Sequence, residues 1–500
     1  MSTTTRQLRN LSRRFHWLAL RLLVRVSRGR PRRKRDPRRV NDIHSQLNST
    51  RVARVVKPAS VGALQATIKH ARRHGPLAIS GGRHAMGGQQ FAAGSLLLEM
   101  TELDRVIKLD RRRRLIEVEA GIKWPKLIAH TIREQRRSVR PFGIRQKQTG
   151  ADRMSIGGAI AANVHGRGLT LRPFVSDVES FVLVDARGRT RLCSRKEHPE
   201  LFRLVIGGYG LFGVVARATL RLAPRRKLER VVELVDVDDL QKLFEQRIAA
   251  GFLFGDFQFA IARDSEEFMQ RGVFSCYRPV SHKTPLSANP KELATSDWKE
   301  LLYLAHADPR RAFELYSRFY LATSGQIYWS DTHQLTTYID NYHGEVDARL
   351  CAPEPGSEMI AELFVPRDAL ARFLSAVRED FRKNSTELIY GTIRLVERDD
   401  ETFLAWARES FACVVFNLHV QHSRAGLARA RKDFRMLIDR AISFGGSFYL
   451  TYHRWATREQ ILACYPQMPE FLRLKRAHDP SEVFQSDWYR QTRGLFADWL

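Results

Sequence analysis

A chain of 500 residues is longer than one ordinary hydrophobic core, so two or three domains are expected. With 43% apolar residues, disorder of the whole chain is excluded. The net charge of +29 does not mark the entire chain as a nucleic-acid binder, because residues 1–39 hold fourteen Lys/Arg against one acid and the signs are mixed thereafter.

Leu8, Leu11, Phe15, Leu18 and Leu22 fall at helical spacing, with Arg9, Arg13, Arg14, Arg21 and Arg25 on the other sides. This predicts a basic amphipathic helix, far short of the ~18–20 apolar residues a membrane span needs. A basic, Pro-containing linker follows over 30–39, and residues 1–45 are read as one N-terminal segment. Residues 6–39 suit an anionic membrane surface, with arginines on the lipid head groups and leucines in the interface; a solvated tail is the alternative. Ser12-Arg13-Arg14-Phe15 shares the two arginines of a twin-arginine export signal, but Arg21 and Arg25 interrupt the apolar run and no A-x-A site follows. No specific nucleic-acid partner is expected, since no aromatic interleaving accompanies the charge. The expected location is cytoplasmic, either free or peripheral on the inner membrane surface.

From residue 54 short strands alternate with helices. A strand at Val55-Val56 ends at Pro58, Leu64, Ile68 and Ala71 mark a helix face, and strands follow at 77–80, 96–100 and 115–120, with a helix from Pro125 to Arg136. Three glycine-rich segments punctuate this region, at 79–89, 149–168 and 206–213. Gly157 and Gly158 lack a Cβ, so a ligand can lie against the main chain there, beside polar groups from Ser155, Asn163 and His165. Three such clusters in 135 residues point to one long ligand touched at three places. Residues 208–213 satisfy G-x-G-x-x-G, but the strand 214–222 follows where a Rossmann fold requires a helix.

The character changes after Pro224, and a boundary is placed near residue 225. Strands are expected at 359–365, 388–396 and 411–421, and a helix from Pro366 to Lys383. Alternation puts Val414, Phe416, Leu418 and Val420 on one face and Val415, Asn417, His419 and Gln421 on the other. Glu358 aligns with Glu362, and Thr392 with Arg394. Glu362, Thr392, Asn417 and His419 are candidate substrate-lining residues; a solvated sheet face is the alternative. The five cysteines are scattered, none at metal-ligand spacing with His, so no metal and reduced thiols are expected.

At this point the residues carry a resemblance. Val56-Lys57-Pro58, Ser80-Gly81-Gly82-Arg83-His84, residues 155–166 and residues 210–215, in this order and spacing, resemble the FAD-binding domain of the vanillyl-alcohol oxidase family, also called PCMH-type flavoproteins. Tyr465-Pro466, Lys475-Arg476, Asp479-Pro480 and residues 483–487 resemble the tail of aldonolactone oxidases and decaprenylphosphoryl-ribose oxidases. The resemblance implies an α+β chain: a two-subdomain FAD-binding domain over 46–225, a substrate domain over 226–465 built on an antiparallel sheet with flanking helices, and a return of 466–500 onto the FAD domain. It implies FAD as cofactor. Ser80, Gly81, Gly82, Arg83 and His84 would cradle the pyrophosphate. Gln89, Thr149, Ser155, Gly157, Gly158 and Asn163 would lie along the cofactor, with His165 and Gly166 near the isoalloxazine. Gly208, Gly213, Val214 and Val215 would close over it.

His84-Ala-Met-Gly-Gly-Gln89 resembles the segment of cytokinin dehydrogenases whose His is tethered to the flavin 8α-methyl carbon, which implies a covalent link through His84; a merely hydrogen-bonding histidine is the alternative. Arg83 stands where relatives more often have Gly. Thr392-x-Arg394 stands where polyol and lactone oxidases often show Glu-x-Arg, and Tyr452 or His453 aligns with a residue near flavin N1 and O2; Arg394, Tyr452 and His453 are the implied catalytic residues. The implied activity is that of an FAD-dependent oxidase or dehydrogenase, passing a hydride from the alcohol carbon of a sugar, lactone, polyol or lipid-linked sugar to flavin N5. The electron acceptor is open. The alternatives are a sterol-like C=C reductase on the same scaffold and a non-catalytic basic protein that binds membrane or nucleic acid.

Overall fold

Ser60 Oγ accepts a hydrogen bond from the N–H of Ala63 at 3.1 Å, and Gly75 leaves the helical region at φ +138°. Between this cap and this stop, Val61–His74 forms a helix that buries Leu64, Ile68 and Ala71, the face read from their spacing. The computed structural model describes residues 36–336 and 339–499; the amphipathic helix expected before residue 30 lies outside them. Among the described residues no helix is long and apolar enough to cross a membrane.

The helix covers a three-stranded parallel sheet in the order Arg54–Val56, Leu96–Glu99, Leu77–Ser80. Val184, Val214 and Ala216 join the same apolar core from a five-stranded antiparallel sheet. That sheet runs Thr190–Ser194, Val178–Val184, Val214–Arg221, Leu115–Glu119, Val106–Asp110. The end of the chain completes the parallel sheet. The N–H of Leu77 donates to the Val483 carbonyl at 2.8 Å, and the N–H of Gln485 donates to the Leu77 carbonyl at 2.9 Å. Behind this edge Lys475 and Asp479 form a fully buried ion pair at 2.7 Å, and the Asp479 carboxylate also accepts from the N–H groups of Val483 and Phe484.

Residues 227–448 supply an eight-stranded antiparallel sheet. Its order is Ile327–Trp329, Lys227–Asp236, Arg271–Val280, Phe254–Phe259, Leu388–Val396, Phe411–Gln421, Gly356–Pro366, Ser447–Phe448. Leu363, Ile393, Val414 and Phe416 share its apolar face, against which the helices Val237–Ala249, Leu370–Asn384 and Arg424–Ser443 bury Phe244, Phe373, Phe381 and Leu437. The pairs Glu358↔His419, Ile360↔Asn417, Glu362↔Val415 and Arg394↔Cys413 set the opposite, polar face. The chain is thus α+β.

Two local expectations are corrected. Pro366 ends a strand, and a 3₁₀ turn over Arg367–Ala369 precedes the helix, which starts at Leu370. Residues 156–162, read as a glycine-rich loop, form a short helix capped by Ser155 Oγ on the N–H of Gly158.

Candidate cofactor and substrate site

The three glycine clusters meet. Together they line one cleft enclosing about 860 Å³, open solvent at its mouth included. From the first cluster come Ser80, Gly81, Gly82, Arg83, His84 and Gln89; from the second, Ser155, Gly157 and Gly158; from the third, Gly213, Val214 and Val215. Close approach explains the glycines. A Cβ on Gly81 would stand 2.2 Å from Ser155 Oγ, and one on Gly82 the same distance from the Arg153 carbonyl. The first cluster is held open by its neighbours: the N–H of Met86 donates to Thr451 and the Gln89 amide to the Leu450 carbonyl.

This cleft fits a dinucleotide. The N–H groups of Gly81, Gly82 and Arg83 donate to no protein atom among the described residues, which leaves a nest of donors for an anion. Ser80 Oγ and Gln90 Oε1 are buried at the wall without a partner. Arg83 sits at φ +59°, a conformation that favours glycine, and its guanidinium is tied to Glu99 at 2.6 Å. His84 faces the cleft with Nδ1 at 2.9 Å from His44 Nε2. Burial, with His44, Lys123, Arg153 and Lys147 nearby, holds its pKa well below the ordinary histidine value, so the ring is neutral.

Other residues assigned from sequence sit elsewhere. Asn163 ends the short helix at φ +47°, gives its amide to Asp399 at 2.8 Å and accepts from the N–H of Val175, so its side chain turns inward. Gly166 and Gly208 are packing glycines whose Cβ atoms would meet the Lys147 and Leu204 carbonyls, and Thr149 lies in a half-buried turn; none of these lines the cleft. Tyr209 and Gly210, inside the third cluster, line it as well, and Ala161, Ala162 and Thr451 line it without having been read from sequence. The signal for two of them was present: Gly157, Gly158, Ala161 and Ala162 put small residues on one side of the helix.

Thr451 leads from the cleft to the polar sheet face. The hydroxyl of the next residue, Tyr452, donates to Glu362 Oε2 at 2.6 Å. Glu362 is buried, and its other oxygen meets His165 Nε2 and Cys413 Sγ. Burial pushes its pKa up, but His165, Tyr452 and Cys413 together hold it below the ordinary carboxylate value. Tyr452 is held well above the usual phenol value by burial and by Glu362, so it remains a donor. His165 is therefore committed to the sheet rather than to the cleft wall.

Arg394 and Thr392 lie on Leu388–Val396, two strands from Glu362 and next to the strand of Cys413, both buried, with Arg394 Nε and Thr392 Oγ1 lacking partners. The same layer continues through Tyr390, Gln258, Asp256, Tyr277 and Arg230, with Tyr390 on Gln258 at 2.8 Å and Arg230 Nε on the Tyr277 hydroxyl at 2.8 Å. Arg167 adds a second buried guanidinium beside that of Arg394, 3.7 Å from Asp256, while Arg230 is partly buried. His453 is not in this layer. It stacks on Trp455 at 3.5 Å, and burial beside Arg454 and Arg431 pulls its pKa down to about 3. His419 joins a different cluster, around Glu358.

Comparison with known proteins agrees with this geometry. A family model described as an FAD binding domain matches residues 52–194. Decaprenylphosphoryl-beta-D-ribose oxidase of Mycolicibacterium smegmatis is 24% identical over 423 residues, covering 80% of this chain and 86% of that protein. Cytokinin dehydrogenase 9 of Oryza sativa subsp. japonica is 26% identical over 201 residues, and the mitochondrial L-galactono-1,4-lactone dehydrogenase of Arabidopsis thaliana 30% identical over 155. These two matches span only 37% and 24% of those relatives. With the cofactor cleft, its free N–H nest and the antiparallel sheet beside it, they mark the chain as an FAD-dependent oxidoreductase and support the PCMH-type family for it.

Proposed function

We propose that this enzyme oxidises an alcohol carbon of a sugar carried on a lipid phosphate. The observation that carries this reading is the polar layer beyond Thr451, where Arg394 and Arg167 are buried near Glu362 and Asp256 and Arg230 sits partly buried against Tyr277. An excess of guanidinium in a dry site suits a substrate with hydroxyls and a phosphate. The relative that spans most of the chain is named for a substrate of that kind.

FAD bound in the cleft would supply the two-electron acceptor for the substrate hydride. The remaining roles fall to the chain. Glu362, ionised and buried, is the carboxylate that takes the alcohol proton, relayed by the Tyr452 hydroxyl. His165 and Cys413 fix its other oxygen. Arg394, with Nε unpartnered, is the cation for a substrate oxygen. Gly81 to Arg83 hold the pyrophosphate, and neutral His84 is the candidate for a covalent flavin link. Residues 6–39 hold the enzyme at an anionic membrane surface on the cytoplasmic side, where a lipid-linked substrate resides.

Purified protein decides. Yellow protein whose flavin bleaches anaerobically with a polyprenyl-phosphoryl sugar supports the reading. Bleaching only with free sugars or lactones would replace the substrate, reduction of a sterol C=C bond would reverse the reaction class, and colourless protein from a flavin-replete host would leave the non-catalytic alternative. Colour retained in the acid-precipitated pellet, and lost from it in His84→Ala, assigns the covalent link. Flotation with phosphatidylglycerol vesicles, abolished when Arg9, Arg13, Arg14 and Arg21 are changed to Gln, tests the membrane role.

A further inference from the structure

Four histidine and glutamate side chains, distant in sequence, converge at the far end of the polar sheet face. Glu358 lies four residues before Glu362 on the same strand, about 13 Å away at the strand's rise, and takes no part in the network around Tyr452. His306 comes from the helix Thr295–Ala307, His343 from the helix His343–Arg349, and His419 from the strand paired with Glu358. His306 Nε2 stands 3.2 Å from Glu358 Oε1, His419 Nδ1 3.8 Å from the same oxygen, and His343 Nδ1 2.7 Å from Oε2. All three nitrogens are buried, and none meets a partner in hydrogen-bonding geometry. The carboxylate is 5% exposed, as is the His306 side chain.

We infer that His306 Nε2, His419 Nδ1 and Glu358 Oε1 form a site for a divalent first-row transition metal of the Zn²⁺ class, which clamps the helix Thr295–Ala307 to the sheet.

The donor set is two imidazoles and one carboxylate, which suits Zn²⁺ and leaves one position for water. The three donor atoms lie within 4.8 Å of one another. With bonds of roughly 2.0–2.1 Å, tetrahedral donors stand about 3.3 Å apart, so little movement is needed. The surroundings orient the set. His343 and the Tyr342 hydroxyl both approach Oε2 and turn Oε1 toward the other two rings. A Cβ on Gly356 would lie 2.3 Å from His419 Cε1, so that glycine makes room for the ring. His419 is 12% exposed and gives the ion a way in. An ordinary ion pair would need one histidine aligned on the carboxylate, whereas here three nitrogens surround it without alignment.

The test uses untagged full-length enzyme, stripped with a chelator and titrated with ZnSO₄ or CoCl₂. The expected result is about one ion per chain by mass spectrometry, intense visible bands of four-coordinate Co²⁺, and a higher unfolding temperature. His306→Ala, His419→Ala and the near-isosteric Glu358→Gln should each weaken binding at least tenfold, and His343→Ala by about tenfold. The exposed pair His70 and His74, whose rings lie 4.3 Å apart, is the control for adventitious binding, and H70A/H74A should leave the stoichiometry and spectrum unchanged. Metal lost only in that control, a Co²⁺ spectrum indifferent to Glu358→Gln, or no binding at tens of micromolar Zn²⁺ overturns the site.

Discussion

Tyr452 holds its hydroxyl 2.6 Å from Glu362, joining the cofactor cleft at Thr451 to the charged layer of the eight-stranded sheet. Loss of that hydroxyl removes one of the groups that keep Glu362 ionised. Tyr452→Phe is expected to slow anaerobic flavin reduction by about 10²-fold, with Glu362→Gln slower still. Flavin absorbance at equilibrium should be unchanged in both, since neither side chain lines the cleft.

Glu362 also sets an acid limit. Its folded pKa lies below the ordinary carboxylate value, so its contribution to stability is present above that value and is lost as pH falls through the lower, folded one. In Tyr452→Phe the folded pKa rises toward the ordinary value, and the acid limb of a melting-temperature profile should move to higher pH. An unmoved limb would show that Tyr452 does not act on the carboxylate.

Gly158 separates folding from cofactor binding. An alanine Cβ there would meet only Ser155 Oγ at 3.3 Å and Met154 Cγ at 3.6 Å, and the helix favours alanine by up to about 1 kcal/mol. The methyl group would nevertheless enter the cleft. Gly158→Ala should leave the melting temperature of the flavin-free protein unchanged or higher while weakening FAD retention on gel filtration. Gly82→Ala should lower both, because its Cβ would strike the Arg153 backbone.

Asp177 titrates in the opposite sense from Glu362. Burial raises its pKa to about 6, although Arg145 stands 2.5 Å away. A carboxyl with a raised folded pKa stabilises the fold below its unfolded pKa, and that contribution is lost as pH rises through about 6. Asp177→Asn should therefore raise the unfolding free energy near pH 8 relative to wild type, by on the order of 2 kcal/mol in chemical denaturation, and do little near pH 4.

The elements themselves were legible because their signals are local. Leu64, Ile68 and Ala71 gave the helix, and alternation along 411–421 gave both sheet faces, since periods of 3.6 and 2 are written in neighbouring residues. Partners brought together by folding were not. Nothing near residue 165 announces that its imidazole meets Glu362, 197 positions away, and so His165 was assigned to the flavin. Asn163 was read as a ligand because an asparagine beside glycines suits one, yet its positive φ and its bonds to Asp399 and Val175 make it the terminator of a helix. His306, His343 and His419 likewise show no metal-ligand spacing, because the site they surround is assembled by two helices and a sheet.

The buried Lys475–Asp479 pair positions the returning tail. Asp479→Ala should cost about 3–5 kcal/mol, because it strands a buried ammonium and uncaps the N–H groups of Val483 and Phe484. Lys475→Met should cost less, since the Asp479 carboxylate keeps its two backbone donors; chemical denaturation compares the two.

That returning tail has a consequence for how the enzyme is made. The strand Leu77–Ser80, which feeds the pyrophosphate nest, gains its last neighbour only from Val483 and Gln485. A nascent polypeptide cannot finish that edge until residues 483–485 have emerged, however early its first two hundred residues begin to condense. Capture of the flavin therefore waits on the docking of Val483 and Gln485, and a chain in which that edge is still bare exposes unpaired backbone groups to aggregation.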